Sequence, residues 1–404
     1  MNQHNRVLLK RHRADKRFEL LGYLASGVAL LFVLVVVGGL LSWASRGFKR
    51  QECLCVVTFD QKAISQGIVD GVLTRNFDVE DLVKDDFGPD KKASHLLHHI
   101  LAPSAHKMLF DTLAQDPHLL NTTQEMWLPV EAFATRAHQK PSLSQPLAQA
   151  MKSLAKQKRL RSVFRWDFFT HGDSRDPVFA GVWSGLVGTF YLFLVTLAIS
   201  FPLGVGAAFY LEELSKPNLV SRFIEVNIAN LAAVPSVVFG ILGLSLFLNT
   251  AHMPRSSTLV GGLTLSLMTL PTLIIVTRSA IRAVPKNIRE SARGLGASSM
   301  QIICHHLFPL ALPGIVTGTL IAMARAIGET APLLMVGMMA FVAEPAGSLT
   351  DPSTALPVQI YAWARNPETS FLADASAALI VLLAFVGIMN IIAIYLRGKY
   401  EHKW

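Results

Sequence analysis

Pro285-Lys-Asn-Ile-Arg-Glu290-Ser-Ala292-Arg-Gly-Leu-Gly296 leads, past Pro309 and Pro313, into Ala324-Arg325-Ala-Ile-Gly328-Glu329-Thr330-Ala-Pro332. The first half is polar and rich in small residues. The second puts an arginine and a glutamate inside an otherwise apolar run of spanning length. An ionised side chain at the centre of a bilayer costs at least about 2.5–3.5 kcal/mol, so one kept there usually lines a path or meets a partner. A polar knob outside lipid followed by charges within it points to a transporter subunit.

Composition agrees. Of 404 residues, 51% are hydrophobic and 16% charged, and the mean hydropathy is +0.40. Soluble domains carry about a quarter charged residues, so the shortfall implies membrane spans. The formal net charge of +9 comes from Lys and Arg beside apolar runs, as topology determinants are placed. Aromatic-interleaved basic stripes are absent from the sequence, which argues against nucleic acid as a partner. Cys53, Cys55 and Cys304 make no disulfide framework and read as incidental.

Spanning about 30 Å of hydrocarbon takes roughly 17–25 apolar residues. Six runs qualify: about Leu20–Trp43, Val178–Tyr210, Val226–Leu248, Ser257–Ile281, Ile315–Val342 and Phe371–Leu396. The first exceeds the apolar core of a secretory signal and is expected to stay as an anchor. The basic tail 1–19, the loop bearing Arg282, Lys286, Arg289 and Arg293, and the tail 397–404 would all be cytoplasmic by the positive-inside rule. Arg46, Lys49 and Arg50 beyond the first run count against that orientation without outweighing the tail. The expected fold is an all-α polytopic membrane protein of six transmembrane helices. A polar extracytoplasmic insertion over 44–177, mixed or mainly helical, lies between the first helix and a core at 178–396.

Within the insertion, Ser94–Leu113 and Leu143–Phe164 have helix-like apolar spacing and Cys55–Phe59 could be a strand. His95, His98, His99 and His106 share a helical spacing, but no cysteine or carboxylate completes a metal set, and surface histidines are the simpler reading. Lys152–Arg165 reads as a solvated face or a headgroup contact.

In the quoted stretch, Pro285 and Asn287 with Glu290 predict a capped helix start. The small residues through Gly296 allow a sharp bend, and Met300–Phe308 predicts a second short helix before Pro309. A plain interspan loop remains the alternative to a knob seated in a partner's groove. Glu290-Ser-Ala292-Arg-Gly-Leu-Gly296 resembles the EAA loop of ABC importer permeases, Glu-Ala-Ala, a spaced Gly and then Ile-x-Leu-Pro. Glu290, Ala292, Gly296 and Pro309 match, whereas Ser291, His306 and Phe308 depart from the pattern. The resemblance implies that 285–313 docks on an ATPase subunit. ATP and magnesium would then be bound by that separate polypeptide, since this sequence has no phosphate loop of its own.

Arg325 and Glu329 are four apart, which on a helix gives an intrahelical ion pair. Either the pair is structural, or Arg325 offers planar donors to a tetrahedral oxyanion while Glu329 steadies it and Thr330 adds a hydroxyl. Arg278 near an inner end would snorkel to headgroups or stand at the exit of an anion path. Asn227, Asn230 and Ser236 read as interhelical hydrogen-bonding groups. Pro313 to Leu334, together with Tyr210-Leu-Glu212-Glu213 and Asn227 to Gly240, closely resembles the PstA-type permeases of phosphate importers. That resemblance covers about Pro177 to Leu396. It implies the ABC type-1 permease fold in the bacterial inner membrane and a channel-forming rather than an enzymatic role. The implied partners are a homologous PstC-type permease, two PstB-type ATPase subunits and a PstS-type periplasmic phosphate-binding protein. Two other readings are a permease for another oxyanion, such as sulfate, molybdate or phosphonate, and a membrane scaffold for phosphate-responsive signalling.

Overall fold

Lipid offers no water to backbone groups, so each long apolar run must satisfy its own hydrogen bonds as a helix. The computed structural model describes residues 2–59, 68–69, 72–73, 97–103, 105–216, 218–338 and 341–400. Helix α1 (Asn2–Gly47) carries the first span from Asp15 onward. Its apolar side chains from Leu20 to Val37 are exposed, and among its described residues only Ala44 and Gly47, in its last turn, are buried. At Gly47 an added Cβ would lie 2.8 Å from the Ala373 carbonyl carbon, so this glycine lets α1 dock on the last helix.

The polar insertion is mixed α/β. Strand β1 (Lys49–Thr58) lies between β2 (Thr123–Pro129) and β3 (Leu160–Phe164), antiparallel to both, with Cys53 opposite Leu128 on one side and Leu160 on the other. Side chains alternate along a strand. Cys53, Cys55 and Val57 therefore share one face and pack with Leu109, Leu128, Met151 and Leu154. Both cysteines are core thiols. Helices α2 (Ala105–Gln115), α3 (Ala132–Gln139) and α4 (Gln145–Lys156) pack with this core, α4 burying Leu147, Met151 and Leu154 at helical spacing.

Two expectations for this region change. The continuous helix over Ser94–Leu113 is two helices, Leu97–Ile100 and α2, so His99 and His106 do not share one; His95 lies outside the described residues. Lys152–Arg165 is no single solvated face: α4 ends at Lys156, Lys158 turns with φ +58°, and the rest enters β3.

The membrane core follows. Helix α5 (Trp183–Phe209) runs on through a π turn to Leu214, and α6 (Leu219–Ala232) is followed by α7 (Ser236–Gly243), which continues to Thr250. Next come α8 (Thr258–Arg282), α9 (Lys286–Gly294) and α10 (Phe308–Gly328). Short α11 (Ala331–Met335) and α12 (Leu356–Ala364) precede α13 (Phe371–Tyr400). Among the described residues five helices are long and apolar enough to span, or six with α6 and α7 taken as one broken span bent by 103°. That bend corrects the straight helix expected over Val226–Leu248. Pro235 has no N–H to donate and drives the residue before it out of helical geometry. The span expected at Ile315–Val342 lies earlier, over Ser299–Gly328. A helical turn at Ser299–Gln301 and a π segment at Ile302–Leu307 run straight into α10, whose first turn holds Pro309, so the second short helix is not separate from the span.

Helices α5 and α8 pack closely because small residues face each other. A Cβ on Gly262 would stand 2.6 Å from Val195, and the Thr196 hydroxyl donates to the Gly262 carbonyl at 3.2 Å.

Candidate functional site

Arg325 lies in the last turn of α10, and Glu329 is the residue at which that helix ends, with φ −77° and ψ 118°. The pair therefore straddles a helix end instead of lying mid-helix as expected. Arg325 Nε is 3.9 Å from Glu329 Oε1, and the two side chains are 71% and 24% exposed. A contact this long and open is a weak tie, worth about 0–1 kcal/mol for an exposed pair. The guanidinium keeps most of its donors available. Thr330 is half-buried and opens α11, its carbonyl accepting from Leu334 N–H at 3.1 Å.

The broken span faces this corner. A small cleft is lined by Leu231, Val234, Ser236, Thr269, Thr272 and Arg325, which brings the α6–α7 bend up to the arginine. Gly240 on α7 lets the two motifs touch, since a Cβ there would be 2.8 Å from Pro332 Cα. Ser236 lines the cleft, but Asn227 does not bond between helices: its Nδ2 donates to Phe223 O at 2.7 Å within α6. Asn230 is exposed, and α6 buries no residue at all.

Arg278 neither snorkels nor stands open. Its Nε donates to Glu212 Oε2 at 3.2 Å and its Nη2 to Glu225 Oε1 at 2.7 Å. Arg282 Nε reaches the other Glu212 oxygen at 2.8 Å. Glu213 meets Arg289 Nε at 2.9 Å, with Arg293 at 3.9 Å, and Arg289 Nη2 donates to Ile281 O at 2.7 Å. Charge-assisted hydrogen bonds thus join the end of α5 and α6 to α8, and an ion pair adds α9. Sequence reasoning assigned Glu212 and Glu213 no role. The available signal was an acidic pair closing an apolar run, against arginines spaced by four at 278 and 282 and again at 289 and 293.

In the knob, Glu290 is exposed and Ala292 is buried at 6%. The expected cap by Asn287 is absent: Pro285 is the N-cap residue of α9 and no side chain caps it. Gly296 has φ +83°, and no atom lies within 4 Å of a Cβ added there. The residue is thus fixed by backbone handedness and not by space. Gly296 N–H bonds Arg293 O at 2.9 Å and Ala297 N–H bonds Ala292 O at 3.1 Å, closing the helix end. Ser298 and Gln301 then form a reciprocal capping box. Leu295 is 90% exposed and Met300 64%, two large apolar side chains on a polar knob, while Pro309 is exposed in the first turn of α10.

A second element escaped the sequence altogether. Arg165, at the end of the insertion, is buried; its Nη1 donates to Asp374 Oδ1 at 2.7 Å and to Gly47 O at 3.0 Å. Its Nη2 donates to Pro177 O and Ala180 O, both at 2.8 Å. One guanidinium thus joins the ends of α1 and the insertion to the start of α13. Among the described residues, no group of three or more His, Cys, Asp or Glu side chains is placed to hold a metal ion.

Apolar spanning helices, a tethered knob at one end and an exposed arginine beside a broken helix define a membrane transport subunit. Residues 200–401 match the family described as binding-protein-dependent transport system inner membrane component, and residues 5–140 match a domain of unknown function, DUF3333. The chain belongs to that family of binding-protein-dependent inner-membrane transport components. It is similar to the phosphate transport system permease protein PstA of Haemophilus influenzae, 34% identical over 59% of this chain and 82% of that protein. PstA of Mycobacterium leprae is 33% identical over 56% of this chain and 75% of its own length. The probable ABC transporter permease YqgI of Bacillus subtilis is 36% identical over 43% of this chain, and the match spans 58% of YqgI. A looser likeness, TM-score 0.42 at 18% identity over 55% of this chain and 95% of the other, extends to the inward-facing MetNI methionine ABC transporter.

Proposed function

We propose that this chain is a permease subunit of an ATP-driven importer of inorganic phosphate and forms the membrane path with a second, homologous permease. The observation that carries the reading is Arg325, whose side chain is 71% exposed next to Glu329 and the α6–α7 bend. A planar fork of N–H donors suits a tetrahedral oxyanion, and Arg keeps its charge at any working pH. Glu329 orients the fork or accepts from a protonated phosphate oxygen, and Thr330 supplies a hydroxyl at the helix break. Similarity to the PstA proteins favours phosphate over other oxyanions. Arg278, held by two glutamates, belongs to the network that transmits motion and is not a direct ligand.

Coupling runs through the knob. Glu290, Ala292, Gly296 and Pro309 shape a surface that one of two ATPase subunits, one per permease, presses on as the two close around ATP. The Glu213–Arg289 pair carries that displacement to the end of α5. The chain itself performs no covalent chemistry; it stabilises an anion and alternates between two access states. With the knob inside, both termini are cytoplasmic, and the module over 44–177 faces the external binding protein that delivers phosphate. Affinity purification in mild detergent tests the assembly. Recovery of an ATPase and a second permease supports it, and their absence refutes it. Competition of labelled phosphate uptake by sulfate, molybdate or phosphonate tests the solute.

A further inference from the structure

The mixed module and the membrane core enclose a cavity of about 260 Å³ that the transport reading does not use. Arg46, Lys49, Arg50, Arg136 and Arg165 line it, against a single carboxylate, Asp374. Two of the cations are accounted for. Arg165 pairs with Asp374 at 2.7 Å, and Arg50 pairs with Glu52 and Asp167, each at 2.8 Å. Arg46, Lys49 and Arg136 form no ion pair among the described residues. Arg46 lies over the Trp43 ring at 5.1 Å and Arg136 over Phe133 at 5.7 Å. Glu368 acts on Arg136 at longer range, and Asp176 lies near enough to act on both Glu368 and Asp374.

Hydrogen-bond accounting leaves both kinds of group open on this wall: Asp374 Oδ2 and Gln51 Oε1 are buried without a donor, and two guanidinium groups have an N–H without an acceptor. Arg165 is 4% exposed, yet its Nε has no acceptor, and the Nε of Arg136 is likewise buried without one. A buried donor left unsatisfied costs about 1–3 kcal/mol, more when charged, so such groups are normally matched to something. Five cations against one carboxylate in the lining, and two guanidinium N–H groups without an acceptor, call for a compact polyanion with several acceptor oxygens. We propose that the junction of α1, β1, α3 and the start of α13 is a binding site for a phosphate group, separate from the Arg325 region. The ligand would bridge the module to the last span, so its occupancy fixes how the two are joined.

Two sources offer that chemistry: free orthophosphate, or the headgroup of an anionic phospholipid. Trp43, Phe164 and Trp166, 45%, 46% and 72% exposed beside the cavity, resemble the aromatic belt of a membrane interface, where headgroups lie. The test uses the full chain carrying Arg325→Gln, which removes the other candidate anion site and leaves this one. Radiolabelled orthophosphate is titrated in detergent, and retention of phosphatidylglycerol against phosphatidylcholine is read by native mass spectrometry. Saturable binding of orthophosphate assigns the free anion, and selective retention of phosphatidylglycerol assigns the lipid; either supports the site. Lys49→Gln with Arg136→Gln should weaken binding at least about tenfold, the scale of one charge-assisted hydrogen bond. Arg46→Gln, at an exposed position, should weaken it in the same direction, which separates lost contacts from a misfolded double variant. Binding of neither probe, or full affinity in both variants, would overturn the proposal and leave the transport reading untouched.

Discussion

Removing Asp374 and removing Arg165 should not cost the same. Each member of the pair is nearly inaccessible, with side chains 3% and 5% exposed. Stripping one partner from a buried pair costs about 3–5 kcal/mol because the other charge stays behind. After Asp374→Ala the guanidinium still donates to the carbonyls of Gly47, Pro177 and Ala180, which places the loss near the low end. After Arg165→Ala a carboxylate is stranded and three carbonyls lose their donor, which places the loss at the high end or beyond. The double variant has no stranded charge, so the two effects overlap, with a coupling of about 0.5–3 kcal/mol. The assay is unfolding of the detergent-solubilised chain by rising SDS fraction for wild type, both single variants and the double. Equal losses in the single variants, or strict additivity in the double, would refute the reasoning.

Three further outcomes follow from the same geometry. Gly296→Val forces a left-handed backbone on a β-branched residue, costing about 1–2 kcal/mol at the knob. Transport-coupled ATP hydrolysis should fall while the spans stay folded by circular dichroism, since no neighbour clashes with the new side chain. Glu213→Gln loses the charge that anchors Arg289, so reconstituted complexes should hydrolyse ATP with less phosphate moved per ATP. Burial holds the Asp173 carboxyl above the ordinary aspartate value, although Trp363 Nε1 donates to it at 2.9 Å. A carboxyl with a raised folded-state pKa contributes stability that is full below the ordinary value and is lost as pH rises through the raised one. Asp173→Asn should therefore flatten the stability profile over the acid range, as read by SDS unfolding at a series of pH values.

The spans were legible because lipid leaves a long apolar run one option, and the Glu290–Gly296 knob because its glycine marks a handedness that only glycine takes easily. Where reading failed, distant residues decided. The 103° bend before Ser236 depends on Pro235 but also on α7 finding Pro332 beneath Gly240. Arg165 looked like one more cation in a basic stretch; its partner lies 209 positions away, and no local pattern links them. Arg278 looked like a loose cation near a membrane surface until Glu212 and Glu225, on other elements, closed on it. For Arg325 and Glu329 the spacing suggested one continuous helix, and the helix end between them was not foreseen. Spacing by four is the same whether or not the helix continues.

The central claim is that Arg325 binds the transported anion. Labelled phosphate uptake into proteoliposomes holding the purified complex, with Arg325→Gln against wild type and ATPase recovery measured on the same preparation, tests it most directly. The account predicts an assembled complex with uptake abolished. Uptake at the wild-type rate from that assembled complex would contradict it.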